Sequence, residues 1–178
     1  MNSNSLKNRN FNPDSVPGEY NVVALWTQFR PERIKAGVFA GIFAGVLMQI
    51  FGVIYSSVVG RDWTTPMRIS ALPILGNSAM AYGNGAGIVV GLIMFFLLAI
   101  VLGTTYAHFT GTNHKWNRFG VGLTWGAYSW IFITCLFSPA FQSYEEAEIP
   151  RGVMFFAWMV FGIALMSVAW FDKKAPAK

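Results

Sequence analysis

The sequence predicts an all-α membrane protein whose four transmembrane helices pack through glycine and alanine faces. Of its 178 residues, 54% are hydrophobic and 12% are charged, which is about half the charged fraction of an ordinary soluble domain. Four long apolar stretches account for this composition, and about 20 apolar residues suffice for a helix to cross the hydrocarbon core. Basic residues cluster on one side of the predicted spans, which predicts that both termini lie in the cytoplasm.

Residues 1–35 are predicted to form a polar cytoplasmic arm. Asparagine recurs at five of its first twelve positions, and Pro13 and Pro17 follow. The arm lacks the short apolar core and small-residue cleavage site of a signal peptide, so we expect it to be retained. Residues 22–29 (VVALWTQF) are predicted to form a short interfacial helix, with Trp26 and Phe29 at headgroup level.

The first predicted span covers residues 36–59 and contains no charge. Gly37, Gly41 and Gly45 recur every four residues, so they lie on one stripe of a helix. Small residues allow two helix backbones to approach closely, which is how helices associate in lipid. The stripe therefore predicts a helix-packing face, with a face that lines a channel or contacts a ligand as the alternative.

The segment between the first and second spans is too apolar for a free loop. Thr65 and Pro66 are typical of a helix start, and Pro73 prevents a longer helix. We interpret this segment as a short amphipathic piece that lies on the membrane surface or caps the bundle. A re-entrant element is the alternative.

The remaining predicted spans cover residues 86–109, 119–137 and 152–171, and a basic cytoplasmic tail follows at 172–178. The second span has a small-residue face at Gly87, Gly91 and Gly103, and the third has one at Gly122 and Gly126. These glycines are predicted to pack against other helices.

The distribution of lysine and arginine predicts the orientation of the spans. Ten of the thirteen basic residues fall on the side of the two termini: Lys7, Arg9, Arg30, Arg33, Lys35, Lys115, Arg118, Lys173, Lys174 and Lys178. The opposite side holds Arg61, Arg68 and Arg151. This bias indicates that both termini are cytoplasmic.

The interiors of the predicted spans contain no Asp, Glu, Lys or Arg. Charged groups within a membrane are costly and mark proton relays, ion pathways or catalysis, so we expect the chain not to be an enzyme. Its net charge of +5 is not concentrated on a soluble module, which argues against nucleic-acid binding. The single cysteine, Cys135, excludes an intrachain disulfide and a cysteine-based metal site.

Five side chains are candidates for contact with a ligand or pigment. Gln49 lies near the centre of the first span and can bind a quinone carbonyl or a substrate, or a neighbouring helix. His108 closes the second span and can supply an axial ligand to a haem or chlorophyll-type pigment, or serve as an interfacial anchor. Trp125, Trp130 and Trp158 lie deeper than an interfacial belt requires, and either line a ligand site or pack against helices and lipid.

The pattern AGxxAGxxAGxxM at 36–48 resembles that of the YagU-type small bacterial inner-membrane proteins. The sequence GTTYAHF at 103–109, which ends a glycine-rich second span, adds to the likeness. The resemblance implies a fold of about four spans and a location in the bacterial cytoplasmic membrane. It implies no functional residues.

These observations predict a non-catalytic accessory subunit of a larger membrane assembly, with a respiratory or photosynthetic electron-transfer complex as the expected host. Its partners would be other membrane subunits and lipid. We expect no cofactor of its own, although contact with a lipid, quinone, haem or (bacterio)chlorophyll is compatible with the sequence. A small oligomeric transporter or channel is the alternative, and a subunit with His108 as an axial ligand is the third reading.

Overall fold

The computed structural model describes residues 31–81, 85–110, 115–141 and 150–171, with the side chains of the third stretch described from Phe119 to Thr134. The regular structure in these residues is entirely helical, which confirms the predicted fold class for this part of the chain. The predicted interfacial helix at 22–29, most of the predicted arm and the tail at 172–178 lie outside the described residues, as does the side chain of Cys135.

In the described residues, four long helices and several short ones follow one another. They are α1 (Pro31–Val58), α2 (Thr65–Ile69), α3 (Leu72–Leu75), α4 (Gly85–Phe109), α5 (Lys115–Phe141), α6 (Arg151–Ala164) and α7 (Val168–Phe171). A 3-10 turn at Gly76–Met80 follows α3, and another at Leu165–Ser167 joins α6 to α7. α1 begins five residues before the predicted span, and proline suits its first position because a first-turn N–H needs no helical partner.

Three helical stretches are long and apolar enough to cross a membrane: Arg33–Val58, Gly85–Phe109 and Arg151–Phe171. They correspond to the first, second and fourth predicted spans, and they indicate integration into a membrane. The third predicted span, 119–137, falls within the 27 residues of α5. A membrane crossing by α5 stays a prediction.

α1 and α4 form an antiparallel hairpin in which glycines bring the two backbones together. A Cβ placed on Gly103 of α4 would lie 2.5 Å from the carbonyl oxygen of Gly37 and 2.6 Å from the Cα of Gly41. One turn further along, a Cβ on Gly45 would lie 3.2 Å from the Cβ of Ala99. At the opposite end, Nη1 of Arg33 donates a hydrogen bond to the carbonyl oxygen of Thr110 at 3.1 Å.

α5 and α6 form a second antiparallel hairpin with the same arrangement of glycines. Gly162 of α6 faces the gap between Gly122 and Gly126 of α5, so that an added Cβ would lie 2.9 Å from the Cα of Gly126 and overlap the carbonyl oxygen of Gly122. Gly162 is not among the glycines that the sequence predicts to pack against other helices. Its contacts show that the chain repeats one packing unit, a helix with two glycines four residues apart against a helix with one.

The two hairpins meet through α1 and α6, which lie at the centre of the bundle. α1 packs against α4, α6 and α7, and the rings of Phe39 and Phe171 stack with their centroids 5.9 Å apart. The burial of the apolar stretches agrees with this placement. In the most apolar part of each span, 39% is buried in α1 and 44% in the stretch of α6 and α7, but 17% in α4.

The segment that connects α1 to α4 packs against both of these helices. A Cβ on Gly52 of α1 would lie 3.0 Å from the ring of Pro66, and a Cβ on Gly91 of α4 would overlap the carbonyl oxygen of Met67. Both glycines lie six residues inside the ends of their helices, about 9 Å along the axis. The expectation of a cap on the bundle agrees with these contacts, whereas the position of the segment relative to the membrane surface, including the re-entrant alternative, stays a prediction. Gly91 packs against this cap, and so does Gly87, whose added Cβ would lie 2.6 Å from the carbonyl oxygen of Ala79.

An ion pair lies at the start of the cap. Arg68 is 8% exposed, and its Nη2 lies 3.3 Å from Oδ2 of Asp62. The other carboxylate oxygen accepts a hydrogen bond from the backbone N–H of Thr64 at 2.9 Å. The backbone N–H of Thr64 and, to a smaller extent, the charge of Arg68 hold the pKa of Asp62 below its usual value.

We expect Asp62→Asn to lower stability at neutral pH and to have less effect in acid. Because the folded-state pKa is lowered, the ionised carboxylate stabilises the fold above the usual carboxyl pKa of about 3.9. That contribution is lost as the pH falls through the folded-state value. Since the Asp62 side chain is 39% exposed, the difference in Tm at pH 7 should not exceed about 2–4 °C. Thermal unfolding of both proteins between pH 7 and pH 3 measures it, and a difference that grows with acidity would contradict the assignment.

Candidate functional site

A cavity of about 280 Å³ lies between the two hairpins, in the part of the bundle next to the cap. All four long helices contribute to its walls, including Met48 of α1, Phe95 of α4, Ile133 of α5 and Ala157 of α6. Residues that are more than 100 positions apart in the sequence, from Met48 to Trp158, form its walls together. The cavity is therefore a product of the way the hairpins pack.

The cap closes one end of the cavity. Pro66 and Ile69 of α2 and Pro73 of α3 line this end, and Ile69 is buried in a small cluster with Leu72. Ser70 also lines it, but its hydroxyl donates a hydrogen bond to the carbonyl oxygen of Pro66 at 3.1 Å. The cap thus presents a mainly apolar surface to the cavity.

The lining of the cavity reaches the surface of the bundle along α4. Leu97 and Val101 line the cavity, and they are also 55% and 58% exposed at the surface of the bundle. A hydrocarbon chain that passes these two side chains would move directly from lipid into the cavity. Such an opening suits a ligand that partitions into the membrane.

Gln49 is the most notable polar side chain in the lining. It is 8% exposed, and its Oε1 atom accepts no hydrogen bond from the described part of the chain. A buried acceptor without a partner costs about 1–3 kcal/mol, so nearly all such groups in native proteins are paired. The sequence singled out this residue, and the structure places it in the cavity wall.

The three candidate tryptophans have different positions. Trp158 is buried at 4% exposure and lines the cavity. Trp125 packs against the ring of Tyr106, with centroids 6.0 Å apart, and Trp130 packs edge-on against Phe155 at 5.3 Å. The last two are not among the residues that line the cavity.

His108 also lies away from the cavity. It is half-buried in the last turn of α4, where its ring packs against that of Phe109 with centroids 5.2 Å apart. Within the described ranges, no three His, Cys, Asp or Glu residues come together as a metal site. Because the described residues of the cavity lining include no histidine, a haem or chlorophyll-type ring in it would find no imidazole ligand among them.

The described lining of the cavity contains no Asp, Glu, Lys or Arg. Small-molecule sites are typically concave and mainly apolar, with a few polar groups that orient the ligand. The cavity has this character, and it offers binding and orientation without a charged group for proton transfer.

Comparison with known proteins finds no match to a protein-family model, to a curated protein or to a solved structure. The resemblance to YagU-type proteins therefore stays a prediction, and the function has to be argued from the geometry of the chain.

Proposed function

We propose that the chain is a non-catalytic accessory subunit of a membrane assembly and that it holds a small apolar molecule between its two hairpins. The cavity is the observation that carries this proposal. Its 280 Å³ is about twice the volume of an engineered apolar cavity that binds benzene. A ring system or a length of hydrocarbon chain would fit, which is the class of a lipid, a quinone or part of a pigment.

We further propose that the chain crosses the membrane four times with both termini in the cytoplasm. The 27 residues of α5 correspond to about 40 Å, more than the roughly 30 Å of the hydrocarbon core. α5 is also paired with α6, which belongs to the membrane-compatible stretch Arg151–Phe171, through the same glycine arrangement as α1 and α4. Together with the excess of basic residues on one side, this supports four crossings in a bacterial cytoplasmic membrane.

The proposed host is a respiratory or photosynthetic electron-transfer complex. The sequence places no Asp, Glu, Lys or Arg inside the predicted spans, so the groups that a pump or an intramembrane hydrolase requires are absent from them. An apolar cavity that opens towards lipid is consistent with a subunit that retains a hydrophobic component for its neighbours. In this role the chain positions the molecule and its partners do the chemistry.

Purification from native membranes in a mild detergent tests this proposal. We expect fixed partner subunits to co-purify and extraction to release an apolar molecule in a stoichiometric amount. Ala157→Phe should fill part of the cavity wall and reduce the retained molecule to roughly a tenth, which corresponds to about 1.4 kcal/mol of binding free energy. Mass spectrometry and a visible spectrum of the extract measure both quantities.

Ala86→Phe is the matched control, because Ala86 is exposed near the start of α4 and does not line the cavity. It should retain the molecule as the unaltered protein does. A homogeneous preparation without partners and without a bound apolar molecule would contradict the proposal.

A small transporter is the second candidate. The equivalence of the two glycine-packed hairpins favours it, because many transporters are built from repeats with the substrate site at the interface between them. The same purification separates the candidates, since a homo-oligomer that catalyses flux of a solute in liposomes would favour the transporter.

A further inference from the structure

We propose that the cavity selects an apolar molecule that carries a hydroxyl group, and that this hydroxyl donates its hydrogen bond to Oε1 of Gln49. This inference rests on the proposed function, in which the cavity holds an apolar molecule, and it names the polar group of that molecule. Gln49 is more than nine-tenths buried and lines the cavity, and its Oε1 has no hydrogen-bond partner within the described residues. A ligand that supplies a donor at this point removes the cost of the unpaired oxygen.

The chemistry of the amide determines which polar groups fit. A glutamine amide has a carbonyl oxygen that only accepts hydrogen bonds and an NH₂ group that only donates them. A ligand with only carbonyl or ether oxygens could bind the NH₂ group but would leave Oε1 unpaired. A hydroxyl can donate to Oε1 and retains lone pairs of its own. The geometry thus favours an alcohol, a phenol or a quinol over a quinone.

A lone water molecule is a poor alternative partner for Gln49. A buried water typically needs two to four polar partners. Apart from Gln49, the lining side chains with a polar atom are Tyr55, Ser70 and Trp158, and the Ser70 hydroxyl already donates to Pro66. Of these side chains, Gln49 is the one with a buried oxygen that has no hydrogen-bond partner in the described part of the chain. A hydroxyl attached to an apolar body satisfies the amide and fills the remaining space at the same time.

The apolar body has a path out of the cavity. Leu97 and Val101 line the cavity and are also exposed at the surface of α4. A hydrocarbon chain that is longer than the cavity can therefore extend past these two side chains into the lipid. The inferred ligand is therefore an amphipathic membrane component with its hydroxyl buried inside the bundle.

Photolabelling with a matched pair of probes tests the inference. The probes are a sixteen-carbon alcohol (roughly the chain length that fits one leaflet) with a diazirine at mid-chain, and the methyl ether of the same compound. Each is added to the full chain in phosphatidylcholine nanodiscs. Labelling is mapped to the less exposed lining residues 94, 95 and 98 of α4 and 157 and 158 of α6, and it is normalised to the exposed residues Ile54 and Val58 of α1. We expect the alcohol to label the cavity roughly three- to tenfold more than the ether.

Two variants complete the design. Gln49→Met keeps the approximate size of the side chain without its polar atoms, and should bring the ratio of the two probes close to one. Thr124→Val should leave the ratio unchanged, because the Thr124 hydroxyl donates to its own helix at Gly120 and does not line the cavity.

The outcomes distinguish this inference from the proposed function. Equal labelling of the cavity by both probes in the unaltered protein would overturn the hydroxyl assignment and leave an apolar site in place. A preference for the alcohol that persists in Gln49→Met would overturn the role of Gln49. If neither probe labelled the cavity residues above the exposed reference residues, the proposed function would fail together with the inference.

Discussion

Replacing Gly103 by leucine is expected to unfold the α1–α4 hairpin. Even a single Cβ at this position would lie 2.5 Å from the carbonyl oxygen of Gly37 and 2.6 Å from the Cα of Gly41. Both are backbone atoms, so no side-chain rotation can relieve the overlap, and the helices must separate. Overpacking by a few atoms costs about 1–3 kcal/mol or more. We expect leucine to exceed this range because it also inserts a branched side chain at the crossing point.

Circular dichroism during titration with a denaturing detergent measures the effect as a shift in the unfolding midpoint. Gly120→Leu is the matched control, because an added Cβ at Gly120 of α5 meets no atom of the described residues within 4 Å. An unfolding midpoint of Gly103→Leu equal to that of Gly120→Leu would show that the described crossing does not hold the bundle together.

Replacing Gly91 by leucine is expected to release the cap and to leave the long helices paired. A Cβ at Gly91 would overlap the carbonyl oxygen of Met67, which is a backbone atom of α2. α2 and α3 contain five and four residues, and such short helices are not stable in isolation. The cap should therefore move away from α4 at a lower cost than separation of the four long helices. This change would also open the adjacent end of the cavity.

Limited trypsin digestion reports on the position of the cap, because the backbone after Arg68 is buried in the folded protein. We expect cleavage after Arg68 to accelerate at least about tenfold in Gly91→Leu, which corresponds to roughly 1.4 kcal/mol in the opening equilibrium. Gly85→Leu provides the control, since Gly85 starts the same helix and an added Cβ there meets no described atom within 4 Å. Equal cleavage in the two variants would show that Gly91 does not hold the cap. A collapse of the whole bundle in Gly91→Leu would show that the cap is not an independent unit.

The sequence by itself determined the helical class and the approximate positions of three membrane-compatible helices. Long uncharged runs such as residues 36–59 can satisfy their backbone groups in lipid only as helices. This is a local constraint, so composition and length reveal it without any knowledge of neighbours. The same reasoning singled out Gln49, because an amide at the centre of an apolar run is conspicuous.

Only the tertiary structure decided which small-residue faces meet. Gly103 pairs with Gly37 and Gly41, whereas Gly91 in the same helix packs against the cap. Small residues at a four-residue spacing indicate that a helix face allows close approach of another helix. They do not specify which helix that is, because every face of small residues offers similar contacts. Gly162, which has no neighbouring glycine at that spacing in its helix, could not be recognised from its own stretch.

The cavity likewise arises from the assembly of the two hairpins. Gln49 and Trp158 line the same space although 108 positions separate them in the sequence, while His108 lies outside it. Periodicity within one helix specifies a face, and the space between faces depends on how helices cross and how their side chains fill the gap. The sequence therefore determined that the helices are suited to a membrane, and the packing of the helices decided where a cavity for a ligand lies.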